Sequence, residues 1–220
     1  MKSLPTYLVA LALTAPLVGC GTLIGPYDIS APDALPAGVD GHINADGSTT
    51  LQLADMKIDI DINNLRPGGV ALAWFFAPWI AVPIPVDNTA YREPDQLIIA
   101  FEFRTASAGF ALDPTAVVVT LPDGRSMTPT DLAAGCTPHT QWSGIGAAIE
   151  LPCPNKTQRR ILLGFAAQVT ADSGFSLTLG GIYRDGHPVA VPAIEFSKHR
   201  AHSLGLLQTE YPVPRGTSDE

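Results

Sequence analysis

Met56-Lys57-Ile58-Asp59-Ile60-Asp61-Ile62 alternates apolar and charged residues without a fault. A β-strand sends successive side chains to opposite faces. The period of two therefore puts Met56, Ile58, Ile60 and Ile62 on one face and Lys57, Asp59 and Asp61 on the other, as in a half-buried antiparallel strand. Outward from it, Leu97-Ile98-Ile99-Ala100-Phe101-Glu102-Phe103 reads as a second strand and Ala116-Val117-Val118-Val119-Thr120-Leu121 as a third. The third ends at Pro122-Asp123-Gly124, a turn signal that predicts a hairpin into Arg125-Ser126-Met127. Further strands are expected at Gly146–Leu151, Ile161–Thr170 and Phe175–Tyr183. Asp185-Gly186 predicts a hairpin returning along Val189–Phe196, and Asp46-Gly47 predicts another near the start.

Glycine and proline number 20 each and are scattered, which suits a turn-rich β protein better than a helical one. Thr130-Asp131-Leu132-Ala133-Ala134-Gly135 reads as one helical turn, capped at its start and stopped by glycine. There is no internal repeat and no long helical pattern. The expected fold is all-β, an antiparallel β-sandwich of immunoglobulin-like kind with at most one short helix. Acidic residues outnumber basic ones, 21 to 13, for a formal net charge of −8. That balance argues against a nucleic-acid partner, which needs a basic face, and against electrostatic attraction to anionic lipid.

The first residues carry a different message. Lys2 supplies a positive start, Leu8-Val9-Ala10-Leu11-Ala12-Leu13 an apolar centre, and Leu17-Val18-Gly19-Cys20 closes the run. The run is too short to span a bilayer comfortably, so it reads as a signal peptide. Its end resembles the box of bacterial lipoprotein precursors. The resemblance covers about the first twenty residues and identifies a processing class rather than a domain family. It implies diacylglycerol transfer to Cys20, cleavage before it and acylation, for example by palmitate, of the new amino group. Two or more chains anchor stably where one binds marginally. Gly21, where an aspartate would stand in retained lipoproteins, implies an outer-membrane address. The organisation expected is a signal peptide at 1–19, a lipidated N-terminus and tether at 20–40, a β-sandwich at 41–211 and a loose tail at 212–220. The tether rests on Gly25-Pro26, Ala31-Pro32-Asp33 and Pro36-Ala37-Gly38, with an edge strand packed on the domain as the alternative for part of it.

With Cys20 set aside, Cys136 and Cys153 remain, an even pair in an oxidising compartment. A disulfide between them is favoured over a metal site, because two lone cysteines without C-x-x-C spacing make a poor zinc site. The stretch from Pro67 to Val86 holds no charge, and Pro78, Pro83 and Pro85 argue against a straight helix through it. Three readings stand for it. It is a pair of buried strands or a loop over the core, an apolar loop that dips into the leaflet, or a surface for an envelope protein partner. Trp74, Phe75, Phe76, Trp79 and Ile80 are the contact residues under the last two.

Chemistry is hard to find. No G-x-S-x-G elbow, H-E-x-x-H, phosphate loop or dinucleotide fingerprint occurs. Ser173 in Asp172-Ser173-Gly174 reads as a turn residue, Asp59 and Asp61 as a solvated strand face rather than calcium ligands. His42, His139, His187, His199 and His202 read as surface histidines. No catalytic residue, metal or cofactor is expected. The function expected is an outer-membrane lipoprotein, held to the bilayer through acylated Cys20, whose sandwich is a non-catalytic binding or scaffolding module of the cell envelope. The alternative is an envelope hydrolase or metal-dependent enzyme with a site built from distant loops, which clustering of histidines or carboxylates in one concave pocket would favour.

Overall fold

A computed structural model describes residues 22–64, 66–67, 70–74, 81–85, 96–136 and 142–204, with 22–27, the segments between 66 and 85, and 201–204 described as backbone alone. The described chain forms three antiparallel sheets. The eight-stranded sheet has the order β11 (Ser126–Met127), β10 (Val117–Thr120), β16 (Phe175–Leu179), β19 (Ile194–Leu204), β1 (Thr22–Pro32), β6 (Val70–Trp74) and β7 (Ala81–Pro85), with β5 (Arg66–Pro67) also paired to β1. The seven-stranded sheet runs β13 (Trp142–Gly144), β12 (Asp131–Gly135), β15 (Gln158–Phe165), β8 (Leu97–Thr105), β4 (Met56–Ile62), β3 (Thr49–Leu53) and β2 (Asp40–Ile43). A small third sheet joins β14 (Ile149–Leu151), β9 (Phe110–Leu112), β17 (Ile182–Arg184) and β18 (His187–Pro188). The all-β sandwich expected from the sequence is the architecture observed.

Alternation places the core. Along β4 every second residue is buried, from Met56 through Ile58 and Ile60 to Ile62, while Lys57, Asp59 and Asp61 are only partly covered. Ile58 lies opposite Phe103 and Ile60 opposite Phe101 across the β4–β8 ladder, and Phe101 faces Ile161 on β15. From the other sheet, Val117 and Val119 meet Leu179 and Leu177, and the rings of Phe175 and Phe196 stack at 4.8 Å. These side chains belong to one continuous buried cluster between the sheets. Each fully buried Leu, Ile or Phe contributes roughly 1.5–3 kcal/mol relative to exposure. Five successive residues of β8, Leu97 to Phe101, are buried, so this strand is covered on both faces over that length. Ile98 and Ala100 form a second cluster with Ala133 and Leu162, against which Trp142 packs.

The predicted hairpins form with the chemistry their residues dictate. Asp185 and Gly186 both have positive φ, 49° and 80°, the two left-handed positions of a type I′ turn between β17 and β18. At Pro122-Asp123-Gly124 the Gly124 N–H donates to the Leu121 carbonyl at 2.9 Å, and Leu121 N–H to the Arg125 carbonyl at 2.9 Å. Asp46-Gly47 turns β2 into β3, with Asn44 N–H donating to the Ser48 carbonyl at 2.8 Å. This turn also packs across the sandwich. A Cβ added to Gly47 would stand 2.8 Å from Ile29 Cγ2 on β1.

Three expectations are corrected. Residues 22–32, expected in a tether, form β1, the strand between β19 and β6. Eight residue pairs join it to β19, from Leu23–Leu204 to Pro32–Phe196. The proline signals were misleading because Pro26 falls at an irregularity in the ladder and Pro32 at the strand end. Ser30 is fully buried and is clasped by Asn64, whose Oδ1 accepts the Ser30 N–H at 3.2 Å and whose Nδ2 donates to Ser30 Oγ at 2.7 Å. Second, Asp131–Gly135 is strand β12 rather than a helical turn. It is laddered on both sides, by β15 and β13, and ladder bonds outweigh a weak local preference. The 3₁₀ turn lies instead at Pro114–Ala116, capped by Asp113, whose Oδ1 accepts the Thr115 N–H. Third, the return from Gly186 is laddered only at His187–Pro188, and pairing resumes at Ile194. The tail at 212–220 lies outside the described residues.

Candidate functional site

The uncharged stretch becomes two strands joined to the beginning of the sandwich. β6 pairs with β7 from Val70–Pro85 to Trp74–Ala81, and with β1 at Thr22–Ala73, Leu23–Leu72 and Ile24–Ala71. The register follows from local sequence. On the β19 side, β1 advances three residues between Ile24 and Tyr27 while β19 advances two, from Ser203 to Ala201. The extra residue falls at Gly25-Pro26, as expected of a bulge where a proline cannot donate. On the other side the same three-residue step of β1 spans four residues, from Ala71 to Pro67. The β6–β7 pair is thereby held against Thr22–Ile24, at the end of β1 nearest Cys20.

Among the described residues β7 is the outermost strand of its sheet. Alternate residues of a strand direct their backbone groups to the same side. Pro83 and Pro85 have no N–H, so the ladder to β6 is complete when odd-numbered positions of β7 face the free edge. That edge then lacks two of its donors and is a poor template for another strand. Of the predicted contact residues, Trp74 is the last residue of β6. Phe75, Phe76, Trp79 and Ile80 lie outside the described residues, as does the predicted lipidation site Cys20.

Cys136 and Cys153 are joined, with Cα atoms 5.6 Å apart. The bond ties the end of β12 to the chain after β14, closing a loop that contains β13 and β14. Lys156 Nζ donates to the Cys136 carbonyl beside it.

The charged face of β4 is a salt-bridge network. Asp59 lies 3.1 Å from Lys57 Nζ and 3.5 Å from Arg104 NH2, and Arg104 also meets Glu102 at 2.7 Å. Thr50 Oγ1 donates to Asp59 at 2.6 Å. Partial burial works against the Asp59 charge, but Thr50, Lys57 and Arg104 more than offset it and hold its carboxyl below the ordinary aspartate value. Lys198 is held above the ordinary lysine value by its hydrogen bonds to Asp172 and Asp28.

The described histidines stand on three sheets: His42 on β2, His187 on β18 and His199 on β19. His139, and the side chain of His202, lie outside the described residues. His199 Nε2 is 3.0 Å from Asp33 Oδ1, and Ser197 Oγ donates to the same oxygen at 3.0 Å. Both groups converge on the carboxylate of a largely exposed aspartate, so the hydroxyl is not presented to the imidazole as a nucleophile to its base. Ser173 belongs to a turn, its N–H donating to the Thr170 carbonyl at 3.0 Å. Open clefts occur among the described residues. One of 480 Å³ is lined by Phe175, Phe196 and Glu195, and one of 710 Å³ by Thr105, Phe110, Glu150 and Lys156 among others. Neither is lined by a histidine. Among the described residues no group of three or more His, Cys, Asp or Glu side chains is arranged to hold a metal ion.

Two features escaped the sequence reading. The central place of β1 depends on its pairing with residues at the far end of the chain, for which no local signal exists. The second apolar cluster did have a signal: five apolar residues in succession at 97–101 mark two-sided burial rather than alternation. No family profile, characterised protein or solved structure compared with this chain matches it.

Proposed function

We propose that this chain is a lipid-anchored β-sandwich of the outer membrane, a non-catalytic binding or scaffolding module of the cell envelope. Acyl chains on Cys20 hold it to the bilayer. The observation that carries the reading is the start of the sandwich at Thr22. Only Gly21 separates β1 from the cysteine of the lipoprotein box. At about 3.3 Å per residue, the covalent link spans at most about 7 Å from one Cα to the other. An anchor at Cys20 therefore fixes the domain on the membrane surface instead of trailing it on a long leash. The dispersal of the described histidines over three sheets supports a binding module over an enzyme. So does the absorption of Asp59 into an ion-pair network.

Mass spectrometry of the membrane-extracted protein tests the anchor. The expected product begins at Cys20 and carries a diacylglyceryl thioether and an acylated amino group. Cys20→Ser, in a chain whose residues 1–19 are replaced by an ordinary cleavable signal peptide, is expected to release the protein from the membrane fraction, and Gly21→Asp in the native precursor to move it from the outer to the inner membrane. An unmodified Cys20 thiol, or residues 1–19 still attached, would overturn the reading.

A further inference from the structure

We propose that the β6–β7 strand pair is a second membrane contact, seated in the headgroup and upper acyl region of the leaflet that holds the acyl chains. The inference rests on the lipid-anchor reading and adds an oriented footprint to it. Three observations carry it. The first is position. Antiparallel pairing sends β6 toward the membrane as β1 is followed back toward its anchor, so Trp74 comes one position past the Thr22–Ala73 pair. The second is composition. Val70-Ala71-Leu72-Ala73-Trp74 and Ala81-Val82-Pro83-Ile84-Pro85 contain no ionisable and no amide side chain. Tryptophan favours the headgroup level, where its ring has apolar surroundings and its N–H can meet water or lipid oxygens.

The third is the free edge. An open strand edge is costly in hydrocarbon, because each unpaired N–H goes unsatisfied. Among the described residues β7 is an open edge, but Pro83 and Pro85 remove two of the donors that would face outward. The same prolines disfavour a protein partner that docks by adding a strand, since such a partner needs those donors. The net acidic charge of the chain does not oppose this contact, because the stretch that would make it is uncharged.

The test uses the full acylated protein with Trp79→Phe and Trp142→Phe, which leaves Trp74 as the sole tryptophan. It is reconstituted in phosphatidylethanolamine/phosphatidylglycerol vesicles with and without brominated acyl chains. The expected result is a blue-shifted Trp74 emission, quenched by the brominated lipid, relative to the same chain carrying Cys20→Ser in solution. A second measurement needs no tryptophan substitution. Amide exchange at 70–74 and 81–85 is expected to slow in vesicles relative to the soluble Cys20→Ser chain. Vesicle-bound protein whose Trp74 is neither shifted nor quenched overturns the contact and leaves the anchor standing. Self-association of the Cys20→Ser chain that protects 81–85, with no quenching in vesicles, assigns the edge to a second copy and also overturns it. A chain that does not float with vesicles and has no acyl mass on Cys20 overturns the anchor reading, and the membrane contact falls with it.

Discussion

Asp59 shows how a strand face that reads as plain solvated charge becomes a junction. Its carboxylate meets Lys57, Arg104 and Thr50 at once, and the network crosses β3, β4 and β8. A carboxyl whose folded value lies below its unfolded one stabilises the fold above the unfolded value, and that contribution is lost as pH falls through the folded value. Asp59→Asn should therefore reduce stability at neutral pH by a few tenths to about 1 kcal/mol, the discounted range for a partly exposed pair. The difference from the native chain should shrink as pH drops below about 4, near the ordinary aspartate value. Urea titrations at pH 7 and pH 3 check it, and an equal difference at both would contradict the assignment. Glycines give a second contrast. Gly186 has positive φ and open space around it, whereas Gly47 has positive φ and Ile29 against it. Gly186→Ala should cost about 1 kcal/mol, from backbone conformation alone. Gly47→Ala adds a steric clash worth about 1–3 kcal/mol and should be the more damaging of the two by thermal melting.

At the level of elements, β1 is the test case. Asn64 holds Ser30 through two hydrogen bonds in a buried setting and so ties β1 to the chain leaving β4. Asn64→Leu strands the Ser30 N–H and hydroxyl and should cost about 1–3 kcal/mol per group left unsatisfied. Denaturant unfolding reads the loss directly, and a neutral result would mean that β1 contributes little there. β1 also marks the limit of what was legible. The strands at 56–62, 97–103 and 116–121 announced themselves because alternation or a β-branched run is written in neighbouring residues. The three Asp-Gly and Pro-Asp-Gly turns were legible because their left-handed positions restrict which residues fit. Residues 22–32 carry Gly25-Pro26 and Ala31-Pro32, which locally read as breakers. Their strand character comes from Ile194–Leu204, and no window of sequence contains both. The same holds for the candidate site. Cys20 and the uncharged 67–86 stretch stood out by themselves, but the pairing of Thr22–Ile24 with Ala71–Ala73 is a product of long-range register.

Across the whole molecule, two links close distant or irregular parts of the chain. The Cys136–Cys153 disulfide spans 17 residues of sequence. In the chain-entropy treatment a loop of that size restricts the unfolded state by about 3 kcal/mol. The Cys136→Ala/Cys153→Ala chain should lose about that much in equilibrium denaturation while keeping its β-sheet circular dichroism. A loss under about 1 kcal/mol would show that the loop is already constrained without the bond. The second link is the ladder between the first and last described strands, Thr22–Pro32 and Ile194–Leu204.

That ladder has a bearing on the export that the lipid-anchor proposal entails. A chain delivered to the envelope from its N-terminus presents Thr22–Pro32 long before Ile194–Leu204 has crossed. On that proposal the leading strand would lack its β19 partner until translocation is nearly finished. Under the lipid-anchor proposal, acylation and cleavage at Cys20 would act on a chain whose neighbouring strand still lacks its β19 partner.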